Sequence, residues 1–169
     1  MEVQDVMNHN DDKEFVLEAV KENSKFLDIV SERLKDDKEV VKTALEQDSE
    51  SLEFVSDRLK SDKEIIMMGV KGAPWTICYA SEKLRADKEV VLESCKNYGQ
   101  ALYFASEELR ADREVVKAAV ENKGIIIKYA SERLRNDKEL AMIAVKQNKQ
   151  AYHFISQQLQ QDEEIKALM

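Results

Sequence analysis

The most regular feature of the chain is a pattern of apolar and polar positions that returns every 25 residues. An aspartate marks each return: Asp12, Asp37, Asp62, Asp87, Asp112, Asp137 and Asp162. With this Asp counted as position 1, apolar or small residues fill positions 4, 5, 8 and 9, as in Val115, Val116, Ala119 and Val120. Spaced i, i+1, i+4 and i+5, they predict one amphipathic helix of about 10 residues in every repeat.

The polar residues at the start of this helix fit a helix cap. Asp at position 1 and Glu at position 3 both precede the apolar stripe, as Asp112 and Glu114 do in the fifth repeat. Such an Asp accepts hydrogen bonds from the first-turn amides, and the Glu complements the positive end of the helix. Position 8 is always small, which predicts close approach of a neighbouring helix and makes Gly69 a packing residue rather than a catalytic one.

A second helix is expected to begin near position 14, after residues such as Pro74, Gly99 or Gly124 that stop or start helices. Its apolar positions are 16, 18 and 19, and position 18 is aromatic in every repeat but the first. If this helix were unbroken, the charged residue of position 22 would enter the core at a high cost. We therefore expect a break at the Ser of position 20, which caps a short turn ending in Leu, with 3₁₀ geometry as one option.

A fixed period of this length indicates stacked units, none of which buries its apolar face alone. The sequence predicts an all-α fold, a right-handed α-solenoid of six 25-residue two-helix repeats with a C-terminal half repeat. Residues 1–169 are expected to form a single domain. The repeats span 12–36, 37–61, 62–86, 87–111, 112–136 and 137–161, and the half repeat spans 162–169. Residues 1–11 depart from the pattern.

The motif A-S-E-x-L-R-x-D-x-E-V-V, which begins at Ala80 and ends at Val91, resembles the repeat family known as domain of unknown function 4116. The resemblance covers residues 12 to 161, and the repetition of the motif makes it specific. It implies a helical module of bacterial and protist proteins, to which no activity is assigned.

Charge and composition argue against several classes of function. The net charge is −8, with 34 acidic and 26 basic residues, which argues against a general phosphate-backbone binder. Cations recur at positions 2 and 24, but acidic residues at positions 1, 3 and 21 lie between them, so we expect a solvated lattice of alternating charge. No apolar run suits a membrane span or a signal peptide. The two cysteines, at different repeat positions, fit reduced thiols and a cytoplasmic protein.

The sequence offers no catalytic, cofactor or metal site. His9 and His153 are the only histidines, and neither lies at a repeated position. An Asp and a Ser that recur in every repeat suit caps, because a catalytic group is needed only once. Metal-binding and phosphate-binding motifs are absent, and Cys95 stands where other repeats carry Val or Leu. We therefore expect a protein that is not an enzyme.

Positions 14 and 17 of the second helix vary most and point away from the apolar residues. The third to fifth repeats place Trp75, Cys78, Tyr103 and Ile125 there, where the outer repeats have mostly charges, amides and His. Exposed apolar residues that include Trp and Tyr are typical of a protein contact, so these four form the candidate partner surface. Local cover by a folded-back Trp75, or a self-association contact, is the alternative.

The sequence thus predicts a non-enzymatic helical-repeat scaffold that mediates protein–protein or protein–peptide interaction, with a partner and an oligomeric state that it does not identify. A structural spacer, or the repeat region of a larger protein, is the first alternative. A nucleic-acid reader is the second, and the charge balance argues against it.

Overall fold

The computed structural model describes all 169 residues, and every regular element is helical. The chain forms two compact units, Met1–Leu84 and Arg85–Met169. Within each unit the long helices of successive repeats pack against one another, so the expected all-α solenoid of 25-residue repeats is confirmed. That the whole chain is one domain stays a prediction. None of the helices has both the length and the apolar composition that a bilayer crossing requires.

Each repeat contains a long α-helix, a six-residue 3₁₀ segment and a short final turn. The long helices are Lys13–Glu22, Lys38–Gln47, Lys63–Gly72, Lys88–Asn97, Arg113–Asn122 and Lys138–Gln147. The 3₁₀ segments are Ser24–Ile29, Ser49–Phe54, Pro74–Tyr79, Gly99–Phe104, Gly124–Tyr129 and Lys149–Phe154. The short turns are Glu32–Lys35, Leu59–Ser61, Glu82–Arg85, Glu107–Arg110, Glu132–Arg135 and Gln157–Gln160. Two further helices, Val3–Asn8 and Glu163–Lys166, lie outside the six repeats.

The aspartate of position 1 caps the long helix, as the sequence predicts. In the fifth repeat Asp112 Oδ1 accepts hydrogen bonds from the backbone amides of Glu114, at 3.0 Å, and Val115, at 3.2 Å. Its second oxygen, Oδ2, lies 2.8 Å from Nζ of Lys88, at position 2 of the preceding repeat. One carboxylate therefore starts its own helix and also binds the neighbouring repeat.

This double use of the aspartate recurs in both units. The same ion pair joins Lys13 to Asp37, Lys38 to Asp62, Arg113 to Asp137 and Lys138 to Asp162. The cations of position 2 thus lie in the alternating lattice that the sequence predicts, with their charge opposed by acidic neighbours.

Replacing Asp112 with Ala should lower the free energy of unfolding by about 1–2 kcal/mol at neutral pH, because a helix cap is lost. Partial burial opposes ionisation of Asp112, but Lys88 and two backbone amides hold its pKa below the usual 3.8. A lowered folded-state pKa stabilises the fold above the unfolded-state value, and this contribution is lost as the pH falls through the folded-state pKa. The difference between wild type and variant, measured by urea unfolding, should therefore shrink in acid.

The variant Lys88→Gln is the matched control, because it removes the ion pair and keeps the cap. It should lose less stability than the Asp112 variant. Equal unfolding curves for wild type and Asp112→Ala at neutral pH would contradict the role of the cap.

The expected break at position 20 is confirmed, and its serine caps the short turn in most repeats. Ser106 Oγ, for example, accepts from the Leu109 amide at 3.4 Å. The 3₁₀ geometry, however, lies in the longer segment before the break, and the short turn is α-helical in all repeats except the second. The charged residues of position 22 remain exposed, as the argument for the break requires.

The 3₁₀ geometry changes which residues of the second helix are buried. With about three residues per turn, residues i and i+3 lie directly above one another. Positions 15, 16 and 19 are buried almost throughout, but the aromatic residues of position 18 are only half-buried, which corrects the expectation that they belong to the core. The half-buried residues of position 18 are Ile29 in the first repeat and, in the others, the aromatic residues Phe54, Tyr79, Phe104, Tyr129 and Phe154.

Main-chain hydrogen bonds connect neighbouring repeats at the break. The amide of Ser131 donates to the carbonyl of Arg110 at 2.9 Å, and Ser106 and Ser156 make the same bond to Arg85 and Arg135. In the first unit Ser31, Ser56 and Ser81 donate to the carbonyls of Asn10, Lys35 and Lys60. Residues 1–11 therefore act as a partial repeat, although their sequence departs from the pattern.

Candidate functional site

The outer edge of the 3₁₀ segments carries the candidate partner surface. Positions 14 and 17 are three residues apart, so 3₁₀ geometry places them in one line along the segment. Trp75 is 45% exposed and Tyr103 is 57% exposed. The other large apolar residues with comparable exposure lie near the chain ends: Met1, Val3, Met7 and Met169. Trp75 and Tyr103 are therefore the prominent apolar residues on the surface of the repeats.

In the first unit Trp75 and Cys78 share the 3₁₀ segment Pro74–Tyr79, and both are exposed. Pro74 occupies the first turn of that segment, as the sequence predicts. Trp75 lines an open groove of about 460 Å³, whose wall includes the acidic residues Glu46, Asp48 and Glu50. The surroundings of Trp75 are therefore anionic.

In the second unit Tyr103 and Ile125 line one groove of about 300 Å³, together with Phe104, Lys128 and Tyr129. The ring of Tyr103 meets Phe104 edge to face, with 5.2 Å between centroids, and Tyr129 in the next repeat at 5.1 Å. Nζ of Lys128 lies 4.8 Å from the centroid of the Tyr129 ring. We call the groove that Tyr103 and Ile125 line the aromatic groove.

A second cavity, of about 500 Å³, adjoins the aromatic groove and shares Lys128 and Tyr129 with it. Its other lining residues are Glu107, Arg110, Ala130 and Ser131. We call it the Arg110 pocket. The two cavities together form a surface with apolar and cationic parts, built by the fourth and fifth repeats.

The charge of this surface differs from that of the rest of the molecule. Residues 85–169 contain equal numbers of acidic and basic side chains, so the whole net charge of −8 falls on residues 1–84. Arg110 is half-buried, and its Nε has no hydrogen-bond partner. Arg110 therefore departs from the expected solvated charge lattice, because it lines a cavity together with Lys128 and Tyr129 rather than facing an acidic neighbour alone.

The four predicted residues thus fall into two pairs, one in each unit. The sequence pattern does not reveal the contribution of Arg110, Tyr129 and Ser131, since each occupies a repeated structural position. Two signals were present: the charge difference between the two halves, and Ala111 where the first repeat carries Asp36 at position 25. No cluster of His, Cys, Asp and Glu side chains has the arrangement of a metal site.

The two cysteines differ sharply in environment. Cys78 is exposed, whereas Cys95 is fully buried, and burial raises the pKa of the Cys95 thiol to about 12. A thiol with such a pKa stays protonated near neutral pH and is a poor nucleophile. Cys95 therefore serves as a small apolar residue of the core, as its repeat position predicts.

Comparison with known protein families gives a repeated match to one family model, described as Domain of unknown function (DUF4116). The matched segments are residues 12–60, 37–78, 62–110 and 112–160. Together they cover most of the chain. No curated protein and no solved structure matches the chain significantly.

Proposed function

We propose that this chain, which belongs to the DUF4116 family, is a non-enzymatic helical-repeat scaffold that binds another protein or a peptide. The observation that carries the proposal is the exposed ring of Tyr103 in the aromatic groove, beside Ile125. Large aromatic side chains that remain exposed in a well-packed repeat protein are typical anchors of protein contacts. Trp75 and Cys78 form a second candidate contact, on the first unit.

The repeated polar residues support a non-enzymatic role. Each position-1 aspartate accepts amide hydrogen bonds at the start of its helix, and most of the position-20 serines cap the short turn. A spacer, the rival proposal, requires only a polar outer row such as Lys25 and Gln150 provide. The exposed aromatic residue on each unit, Trp75 on the first and Tyr103 on the second, favours a binding surface over a spacer. A cytoplasmic location remains part of the proposal, and the two cysteines, which form no disulfide, support it.

Tyr103→Ala should reduce capture of the partner from native lysate by the full-length chain. The expected loss is about 2 kcal/mol or more in binding, or roughly 30-fold in affinity, if Tyr103 is a central anchor. The fold should be nearly unchanged, because Tyr103 contributes mostly exposed surface. Quantitative mass spectrometry of the captured proteins, with thermal unfolding of both baits, measures the two effects.

The control is Ile143→Ala, which truncates a half-buried apolar side chain on a long helix rather than on a 3₁₀ segment. Trp75→Ala, assayed in parallel, tests the first unit. If the Ile143 variant loses the same partners as the Tyr103 variant, or if Tyr103→Ala unfolds the protein, the proposed surface is wrong.

A further inference from the structure

The Arg110 pocket contains two buried hydrogen-bond donors that nothing in the protein satisfies, Nε of Arg110 and Oγ of Ser131. A buried donor without a partner is destabilising relative to one that makes a hydrogen bond. Lys128, on the wall of the same pocket, contacts the rings of Tyr129 and Phe154 rather than a carboxylate. The pocket thus gathers three donors, two of them cationic, in one place.

The residues equivalent to Arg110 in the second and sixth repeats are satisfied by the protein itself. Nζ of Lys60 donates to the carbonyl of Glu53 at 2.8 Å, and Nε2 of Gln160 donates to the carbonyls of Tyr152 and Ile155. Arg85 and Arg135 share the unsatisfied Nε with Arg110. At Arg110 the unsatisfied Nε lies in the same pocket as Ser131 of the fifth repeat, whose hydroxyl also lacks a partner.

In the first two repeats the equivalents of Ser131 donate a hydrogen bond to a carboxylate. Ser31 Oγ donates to the carboxylate of Asp11 at 2.5 Å, and Ser56 donates to Asp36. In both cases the acceptor is position 25 of the preceding repeat. Before the fifth repeat this position is Ala111, so Ser131 has no acceptor there, and its hydroxyl makes no cap bond either.

The arginine of position 22 belongs to the same arrangement. Arg58 donates from Nε to the Asp36 carboxylate and from Nη2 to the Asp36 carbonyl. Arg133 keeps only the bond from Nη2 to the Ala111 carbonyl, at 2.8 Å. A carboxylate thus lies beside position 20 in the first two repeats, whereas Ala111 leaves the fifth repeat without one, as Ala86 leaves the fourth.

We propose that the Arg110 pocket binds an aspartate or glutamate carboxylate of a partner peptide, while an apolar or aromatic side chain of the same peptide occupies the aromatic groove. The inference rests on the proposed scaffold function and specifies the class of partner. Arg110, Ser131 and Lys128 donate to the carboxylate, and Tyr103, Ile125 and Tyr129 contact the apolar side chain. Because the two cavities share Lys128 and Tyr129, neighbouring residues of one extended segment reach both.

Charge favours an acidic peptide over a nucleic acid at this surface. Glu107 lines the Arg110 pocket, and the exposed Glu132 follows Ser131. These carboxylates repel a continuous phosphate backbone, whereas a single carboxylate needs only the local donors. The second unit also lacks the excess of basic residues that non-specific nucleic-acid binding requires.

A display library of random 12-residue peptides, panned on the full-length chain, tests the proposal. Enriched peptides should contain Asp or Glu close to Trp, Tyr, Phe or Leu. A fluorescein-labelled copy of an enriched peptide should bind at least 10-fold more weakly to Arg110→Gln in fluorescence anisotropy, and Ser131→Ala should also weaken binding. The control Lys146→Gln removes one exposed positive charge from a long helix and should leave the affinity unchanged.

The decisive comparison pairs a change in the peptide with a change in the pocket. Replacing the peptide's Glu or Asp by its amide should weaken binding to the wild type and have little further effect on Arg110→Gln. An equal loss on both proteins overturns the proposed contact. If Arg110→Gln does not fold, the same comparison is made with Ser131→Ala.

The remaining outcomes separate this inference from the proposed function. Enriched peptides that need Tyr103 but show no acidic preference overturn the carboxylate site and leave the scaffold proposal standing. No enrichment at all overturns both. Arg110-dependent binding of a 20-nucleotide oligouridine, tighter than that of any peptide, also overturns the inference and revives the nucleic-acid alternative.

Discussion

Ile127→Ala should destabilise the protein by about 2–5 kcal/mol, whereas the same substitution at Ile125, two residues earlier, should cost less than about 1 kcal/mol. Ile127 is fully buried at position 16 of the fifth repeat, and Ile125 is half-buried at position 14. Truncating a buried isoleucine leaves a cavity that the surrounding helices fill only partly. Truncating Ile125 mainly enlarges the aromatic groove, which is already open to water.

Urea unfolding of the two variants measures this difference directly, since both remove the same three carbon atoms. The binding assay should rank them in the opposite order once folded protein is compared, with Ile125→Ala the weaker binder. Similar losses of stability for the two variants would mean that the aromatic groove belongs to the core.

Gly124→Ala should also be strongly destabilising, by about 3 kcal/mol, at the upper end of the cost of overpacking. A Cβ at this position would lie 2.2 Å from the carbonyl oxygen of Ala144 in the long helix of the next repeat. It would also lie 2.9 Å from Oε1 of Gln147, the atom that accepts the hydrogen bond of the Gly124 amide. No glycine in the chain has a positive φ, so the requirement here is for space.

Gly72→Ala is the matched control for this substitution. Its Cβ would meet the hydroxyl of Ser49, a side-chain group that can rotate away, and Gly72 is an exposed residue at the end of a long helix. Because alanine favours the helix, the net change in stability should stay within about 0.5 kcal/mol. Thermal unfolding that ranks Gly72→Ala with Gly124→Ala would contradict the close packing at Gly124.

The features that repeat in sequence were the ones that sequence reasoning predicted well. The long helices, the aspartate caps and the break at position 20 each follow from residues present in every copy, and local physics determines them. The sequence allows 3₁₀ geometry as one option for the short turn, where only the second repeat has it, and does not reveal the longer 3₁₀ segments before the break. Turns of α and 3₁₀ type differ little in their local sequence preference. Packing against the neighbouring helix, as at Gly124, is what the single repeat does not reveal.

Only the apolar half of the candidate site can be predicted from the sequence. Tyr103 and Ile125 differ from the mostly polar residues that the outer repeats carry at positions 17 and 14, and the structure places both in one groove. Arg110 and Ser131 follow the pattern of their repeat positions, 24 and 20, which indicates a structural role. The environment of Ser131 depends on Ala111, at position 25 of the preceding repeat, and a single repeat considered alone does not reveal this.

The hydrogen bond between the serine amide of one repeat and the position-24 carbonyl of the repeat before it has a consequence for how such chains change. Because both groups belong to the main chain, the bond forms whatever side chains occupy the surface, and Arg110, Lys35 and Asn10 all accept it. Neighbouring copies are therefore interchangeable at this contact. Duplicating or exchanging a repeat within a unit would rearrange the pockets of the outer edge while preserving the joint beneath them, so the fold permits new binding surfaces to arise by shuffling of copies.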